Sequence, residues 1–205
     1  MKSINDYPAN IPPEYEEEEG QIKIFGFWIF LAAELVLFSC LFATYLVYLD
    51  RTASGPTGTE IFEYPGVIIQ TFLLLTSSFT SSIGIFELRR KNKLRVLIWM
   101  GITLLLGISF LGMEIKEFAT YIEEGVSIST SAFWSSFYIL VGTHGAHVTF
   151  GIIWMSIVLI HFIRKGINPT TSRKLFVASL YWHFLDAVWI FVITGVYLIG
   201  GGINL

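Results

Sequence analysis

The sequence predicts an all-α integral membrane protein, a bundle of five transmembrane helices. Hydrophobic residues make up 54% of its 205 residues and charged residues only 14%, a composition too apolar for a soluble domain. The apolar residues are also gathered into blocks of roughly 20 or more, the length that crosses a bilayer as a helix. Both observations favour helices that are embedded in lipid.

Five blocks are long enough to span the membrane, and they divide the chain into a tail and one transmembrane domain, residues 24–205. The predicted spans are 24–49, 66–86, 96–113, 133–163 and 175–199. Residues 1–23 carry the adjacent prolines Pro12 and Pro13 and a run of glutamates instead of a basic segment followed by an apolar one. We therefore expect a polar, acidic cytoplasmic tail that is disordered or loosely docked, and no cleavable signal peptide.

The loops between the spans alternate in charge. Those after the first and third spans are mostly acidic. Those after the second and fourth are basic, with Arg89, Arg90, Lys91, Lys93 and Arg95 in one and Arg164, Lys165, Arg173 and Lys174 in the other. Because basic loops stay in the cytoplasm, the sequence predicts a cytoplasmic N-terminus and a C-terminus outside.

Charge and cysteine content exclude further classes of site. A net charge of −3, with most of the basic residues in two loops and the tail, argues against nucleic-acid binding. The single cysteine, Cys40, excludes an intrachain disulfide and a cysteine-based metal site. The second span contains many hydroxyl residues, which indicate close helix packing with interhelical hydrogen bonds. A polar pore lining is the alternative for that span.

Polar side chains within the spans are the candidate functional residues. At about 1.5 Å per residue, five of them lie about 12 to 20 Å into their spans, near mid-bilayer. They are Glu34, His144, His147, His183 and Asp186. Glu114 and Glu117 lie about 28 Å along the third span, and we expect an interfacial acidic pair there. Since polar groups are costly in hydrocarbon, the mid-bilayer residues should point into protein.

Three helices thus carry polar pairs at a spacing of three residues, Glu114/Glu117, His144/His147 and His183/Asp186. One interpretation is a metal site, because histidine and carboxylate ligands at this spacing can converge inside a bundle. The other is a hydrogen-bonded network that fixes helix register. We favour the network, because the two glutamates are far in depth from the histidines and no E-x-x-H motif occurs. Asp186 should form a buried pair with His183 or with a histidine of the fourth span.

These residues also carry a family resemblance. Residues 142–148 and 181–189 resemble the G-x-H-G-x-H-V and Y-W-H-F-x-D-x-V-W signatures of subunit III of the heme-copper terminal oxidases. Residues 27–34 resemble the family's first shared helix, with Glu34 as its mid-membrane carboxylate, and residues 112–118 resemble its G-x-E-x-x-E-F segment. The likeness runs from about Lys23 to Gly200 and keeps the four motifs in order.

Within that family the chain is most similar to the quinol oxidases, to the bo-type subunit through residues 23–28, 55–63 and 71–75 and to the aa-type subunit through the fifth span. Bacterial cytochrome c oxidase subunit III shares many of these residues, so it stays the alternative. The longest family members have seven helices, and this chain begins at what would be their third. The resemblance implies that the catalytic subunit carries the two missing helices. A phospholipid-holding cleft would then be completed by another chain.

The resemblance implies an accessory role in a proton-translocating complex that oxidises quinol and reduces dioxygen to water. It implies hemes and copper on subunit I, with no catalytic, metal-binding or cofactor-binding residue on this chain. Expected partners are subunits I and II, a small subunit IV and phospholipids, in a bacterial plasma membrane. Glu34 would serve packing or the polarity of the lipid cleft, with a proton relay as the alternative.

Two other classes can also place His, Asp and Glu at mid-depth in five helices. A small transporter or a membrane metal enzyme would bind its ligand or metal as an isolated chain. A scaffold without a respiratory role would co-purify with an assembly that contains no heme.

Overall fold

The computed structural model describes residues 12–15, 18–53, 55–62 and 64–200. A 3₁₀ turn, Pro13–Tyr15, precedes helices α1 (Glu18–Val47), α2 (Gly58–Ile61), α3 (Tyr64–Arg89), α4 (Lys93–Glu123), α5 (Ala132–Lys165) and α6 (Pro169–Val192). A π-helical turn, Ile193–Ile199, continues α6. All but α2 are long and apolar enough to cross a membrane, which confirms the five predicted spans.

Most helices extend beyond the predicted spans, above all α4, which ends at Glu123 and not near residue 113, whereas α1 begins earlier than predicted and ends at Val47, before residue 49. A hydrophobic stretch of sequence ends where charged residues begin. A helix can continue through them, because glutamate and lysine are good helix formers. The ends are set by local chemistry instead. Ser131 accepts a hydrogen bond from the Trp134 amide at the start of α5, and Asn168 and Thr171 form a reciprocal capping box at the start of α6.

Four helices form a closed ring, and the fifth lies outside it. α3 packs on α4, α4 on α5, α5 on α6, and α6 returns to α3, while α1 packs chiefly against α5 and α6. The centre of the ring holds large aromatic side chains, including Trp182, Trp189 and Phe110, each at most 1% exposed. The first helix of the chain is therefore a peripheral element of the bundle.

Small residues let the ring close around Trp182. A Cβ atom on Gly107 of α4 would lie 2.6 Å from the Trp182 ring, and one on Gly151 of α5 would lie 3.2 Å from it. The indole Nε1 donates a hydrogen bond to the Ser77 hydroxyl of α3 at 2.9 Å. One tryptophan of α6 thus contacts the other three ring helices, which agrees with the predicted role of small residues in close packing.

The hydroxyl residues of α3 make the predicted interhelical hydrogen bonds. Thr80 bonds to Thr103 of α4 and Ser81 to Ser179 of α6, both at 2.8 Å. Thr71 accepts from Trp189 Nε1 at 3.0 Å. These contacts point into the ring, so they fit the packing interpretation of the second span.

The basic loops lie together at one end of the bundle, where the Lys93 ammonium donates to the Ile163 carbonyl at 2.9 Å. The N-terminal segment docks at this same end. Glu14 is 1% exposed and forms an ion pair with Arg89 at 2.8 Å, and the Tyr15 ring packs edge-on against Phe176. Residues 13–15 therefore pack against the bundle, where Glu14 meets a basic partner. Residues 1–11 and 16–17 of the predicted tail lie outside the described residues.

Candidate functional site

Glu34 of α1 meets His147 of α5. The Glu34 Oε2 and His147 Nε2 atoms are 3.1 Å apart, with side chains 17% and 21% exposed. His147 Nδ1 lies 2.7 Å from the Thr143 carbonyl, which can only accept, so Nδ1 carries a proton. One further proton between Nε2 and Oε2 then completes a pair with no net charge. Such a pair is much cheaper at membrane depth than an isolated carboxylate.

His183 of α6 is held by serine side chains of α3. Its Nδ1 atom is 2.5 Å from the Ser78 hydroxyl and its Nε2 atom is 3.2 Å from that of Ser82. The prediction that Asp186 pairs with a histidine is wrong for the part of the chain that the structure describes, where the one histidine–carboxylate ion pair is His147–Glu34. Ser78 takes the histidine's place, since its hydroxyl contacts both His183 and Asp186. Asp186 Oδ1 is buried and has no hydrogen-bond partner among the described residues.

Glu114 lies in the ring, beside the histidine motif. It is 3% exposed, and a Cβ atom on Gly145 would be only 2.8 Å from its Oε1 atom. The inference that Glu114 is far in depth from His144 is therefore wrong. Both α4 and α5 are longer than the hydrocarbon thickness, and the two residues lie about 32 Å from the Lys93 and Lys165 ends of their helices. Depths that are measured from the cytoplasmic end for α4 and from the outer end for α5 do not reveal that the two residues lie at the same level.

His144 is enclosed by aromatic rings. It is fully buried, and the ring centroids of Phe38, Phe110 and Trp189 lie 6.4, 6.0 and 5.4 Å from its own. Neither nitrogen of His144 and neither carboxyl oxygen of Glu114 has a hydrogen-bond partner among the described residues. A buried charge without a partner is expensive, so this is a packing centre in which both side chains fit best uncharged.

Glu117 has a separate set of partners, one turn beyond Glu114. It accepts hydrogen bonds from Gln70 Nε2 at 2.8 Å, the Tyr121 hydroxyl at 2.6 Å and the Tyr197 hydroxyl at 2.8 Å. The carboxylate thereby joins α3, α4 and the π-helical turn. The sequence reasoning missed Gln70, Tyr121 and Tyr197. Only the four-residue spacing of Glu117 and Tyr121, and an amide in an otherwise apolar stretch, could have indicated them.

The polar pairs thus make separate contacts and do not converge. Within residues 12–15, 18–53, 55–62 and 64–200, no three His, Cys, Asp or Glu side chains come close enough to form a metal site. Glu34, His183 and Glu117 each link one helix to a neighbour instead: α1 to α5, α6 to α3, and α4 to α3. This arrangement matches the register-fixing network that we favoured.

Two open, largely apolar grooves flank α1. A groove of about 480 Å³ between α1 and α6 is lined by Trp28, Leu31, Ala32, Leu35, Leu180, His183, Phe184, Ala187, Val188 and Phe191. On the opposite side, a groove of about 280 Å³ is lined by Phe30, Ala146, His147, Phe150 and Tyr181. Each groove has one imidazole in a wall of aliphatic and aromatic side chains.

Comparison with known proteins identifies the family. The family model described as cytochrome c oxidase subunit III matches residues 19–201. The chain belongs to the cytochrome c oxidase subunit III family. The motifs that carry the resemblance lie on α1, α4, α5 and α6. They contain residues that make the contacts described above.

Several curated members of the family are similar over almost their whole length. Quinol oxidase subunit 3 of Bacillus subtilis is 57% identical over 194 residues, 95% of each chain. Cytochrome c oxidase subunit 3 of Bacillus sp. strain PS3 is 50% identical, covering 95% of this chain and 93% of its own. A probable quinol oxidase subunit 3 of Staphylococcus aureus is also 50% identical, over 89% of this chain. Five spanning helices and bacterial relatives indicate a multi-pass protein of the bacterial plasma membrane.

Proposed function

We propose that this chain is the accessory subunit III of a proton-translocating heme-copper quinol oxidase, with hemes and copper on subunit I. The observation that carries the proposal is the 57% identity to a protein named quinol oxidase subunit 3, against 50% for one named cytochrome c oxidase subunit 3. A cytochrome c oxidase subunit is the second candidate, since that relative is also similar over nearly its whole length.

The chain itself braces its partners and carries no redox centre. Its buried polar side chains support this role, because they hold helices together: Glu34 with His147, His183 with Ser78, and Glu117 with Gln70. Glu34 serves packing, and through His147 it adds polarity to the groove that His147 lines. His147 is a local hydrogen-bond partner for the Glu34 carboxyl group, so a series of further acidic residues is not needed to explain why this carboxyl group is there.

The side of the bundle formed by α1, α6 and α3 faces subunit I. At mid-depth this side exposes Ser82 and partly exposes His183 and Asp186, whereas the outer faces of α4 and α5 expose aliphatic residues such as Leu105 and Ile157. Polar groups at membrane depth are expected to face protein and aliphatic ones lipid. The groove between α1 and α6 then holds phospholipid against the helices of subunit I. Subunit II and a small subunit IV complete the complex.

Cross-linking tests this orientation in the plane of the membrane. In a Cys40→Ser background, a single cysteine at Ala187 in the groove should cross-link to the heme-carrying subunit. The matched control at Leu105, on the outer face of α4, should react with lipid-soluble reagents but not with that subunit. Cross-links from Leu105 and none from Ala187 would contradict the assignment.

The basic end of the bundle faces the cytoplasm, by the positive-inside rule. The N-terminal segment is at this end, because Glu14 pairs with Arg89. Accessibility of engineered cysteines at Asn92 and Ser127 to a membrane-impermeant reagent in intact cells tests the proposal. Only the cysteine at position 127 should be labelled. Labelling at position 92 alone would indicate the opposite topology.

The function is tested on the complex purified through an affinity tag on this chain. The complex should show heme absorption and should consume dioxygen with quinol and not with reduced cytochrome c. Consumption with cytochrome c alone would favour the second candidate. A co-purified assembly without heme would exclude both oxidases.

A further inference from the structure

A cleft opens between α3 and α4 at the end of the bundle opposite the basic loops. Its volume is about 180 Å³, and it is lined by Ile61, Gly66, Gln70, Met113, Lys116, Glu117, Thr120, Tyr121 and Glu124. The cleft is separate from the two grooves beside α1. The family resemblance gives it no role, and the proposed function does not use it.

Glu117 is a pre-organised oxygen donor in the wall of this cleft. Its three contacts are all donors, the Gln70 amide and two tyrosine hydroxyls, so the carboxylate needs no proton of its own to satisfy them. A carboxylate has about four lone-pair positions, and three are taken. No lysine, arginine or histidine of the described residues forms an ion pair with Glu117. The three donors thus hold the carboxyl oxygens of Glu117 in place.

Gln70 supplies a second oxygen. It is 1% exposed, and its Oε1 atom is buried and has no hydrogen-bond partner in the part of the chain that the structure describes. The amide cannot be turned around, because its NH₂ group is needed to donate to Glu117 Oε2. Since the oxygen and nitrogen of an amide are bonded to one carbon, Gln70 Oε1 lies within about 5 Å of Glu117 Oε2. One ion with oxygen contacts of about 2.3–2.6 Å can bridge two oxygens at that separation.

The rim of the cleft adds oxygen donors and a negative charge. Thr120 and Glu124 line it, and Lys116 is the one basic residue among the lining side chains. Two carboxylates and one ammonium leave a net negative charge. At about 30 Å³ per water, the cleft has room for an ion that keeps several water molecules.

We propose that this cleft binds a hard metal cation of the Ca²⁺ class, with Glu117 and Gln70 as its inner ligands and Glu124 at the rim. Amide and carboxylate oxygens are the ligands that Ca²⁺ accepts, at 6–8 positions completed here by water. Mg²⁺ fits less well because it demands stricter geometry and dehydrates reluctantly. Transition metals prefer imidazole and thiolate ligands, and the lining residues include no histidine or cysteine, only the thioether of Met113. With few protein ligands, the dissociation constant should lie near 10⁻⁴–10⁻³ M, as in weak Ca²⁺ modules.

Equilibrium dialysis of the purified complex with radiolabelled Ca²⁺ tests the proposal. Wild type should bind one more Ca²⁺ per complex than the Glu117→Gln variant, with excess Ca²⁺ competing and Mg²⁺ competing at least several-fold more weakly. The matched control is Glu123→Gln, a carboxylate at the same end of α4 that does not line the cleft, and it should bind like wild type. Equal Ca²⁺ binding by wild type and Glu117→Gln would overturn the proposal.

A second variant separates ligation from folding, because Glu117 also holds three side chains. Glu124→Gln leaves that network intact and should weaken Ca²⁺ binding several-fold with unchanged thermal unfolding in the absence of Ca²⁺. Lys116→Met should strengthen binding, since it removes the one competing cation of the lining. If Ca²⁺ binding appears only after Lys116→Met, the chain's own ammonium fills the site and the proposal fails.

Discussion

The outer helix and the ring teach different lessons about apolar sequence. α1 and α4 contain the most apolar windows of the chain, yet only 17% of the α1 window is buried inside the protein, against 44% for the less apolar α3. In water the most apolar helix would be the core helix. In a bilayer lipid is as apolar as the core, so hydroxyl-rich α3 takes the interior and α1 the edge.

The two regions are also fastened differently. The ring is locked by large aromatic residues packed against glycines, whereas α1 is attached by the Glu34–His147 pair and by Tyr45, whose hydroxyl donates to the Val196 carbonyl at 3.4 Å. Substitutions in the ring should therefore cost more than substitutions at the α1 contact. The following predictions test this difference, beginning with the largest effect.

Gly107→Leu should have the largest effect. A Cβ atom there would already lie 2.6 Å from the rigid Trp182 ring, so the free energy of unfolding should fall by about 3 kcal/mol or more. Gly101→Leu is the matched control on the same helix, since nothing lies within 4 Å of a Cβ atom at that position. Denaturant titration in micelles measures both variants. Equal losses would show that Trp182 yields easily and that the ring is not tightly packed.

Gly145→Ala should cost about 1–3 kcal/mol, because the new methyl group would meet the Glu114 carboxyl at 2.8 Å. Adding Glu114→Ala should recover much of that loss, since it removes the carboxyl group that the new methyl group would contact. A double-mutant cycle measures the coupling between the two residues. Additive losses would mean that Glu114 does not lie against Gly145.

Asp186→Ala should cost about 1–2 kcal/mol, less than the 3–5 kcal/mol of a broken buried ion pair. The structure gives Asp186 one hydroxyl neighbour, Ser78, and no histidine partner. Unfolding of the purified chain measures the loss, and Asp186→Asn is the control that keeps the shape. A loss of the size expected for an ion pair would restore the original His–Asp interpretation.

Glu34→Gln should have the smallest effect, below about 1 kcal/mol, because the amide can still hydrogen-bond to His147. Quinol oxidation and proton pumping by the complex should be largely intact, with at most a shorter lifetime during turnover. The measurement is the rate of quinol oxidation over many turnovers, together with proton uptake by vesicles that contain the complex. Normal assembly with abolished pumping would favour the proton-relay alternative for Glu34.

Much of the fold could be predicted from the sequence, and little of the side-chain pairing. The length of the apolar stretches alone predicts five spans. The free-energy cost of polar groups in hydrocarbon predicts that residues such as His144 point inward. The partners depend on how neighbouring helices are offset, which no single helix encodes. Thus the sequence does not show that Glu114 lies at the level of His144, or that Ser78 is the partner of His183. Both are missed when helices are treated as equal rods of bilayer length.

The central claim is that the polar side chains of this chain hold helices together and bind no redox cofactor. Metal and heme analysis of the chain purified without its partners tests this claim most directly, with a visible absorption spectrum of the same sample. We predict no stoichiometric heme, copper or iron, and heme absorption only in the complex. Stoichiometric heme or a transition metal on the isolated chain, lost on His144→Ala or His147→Ala, would contradict it.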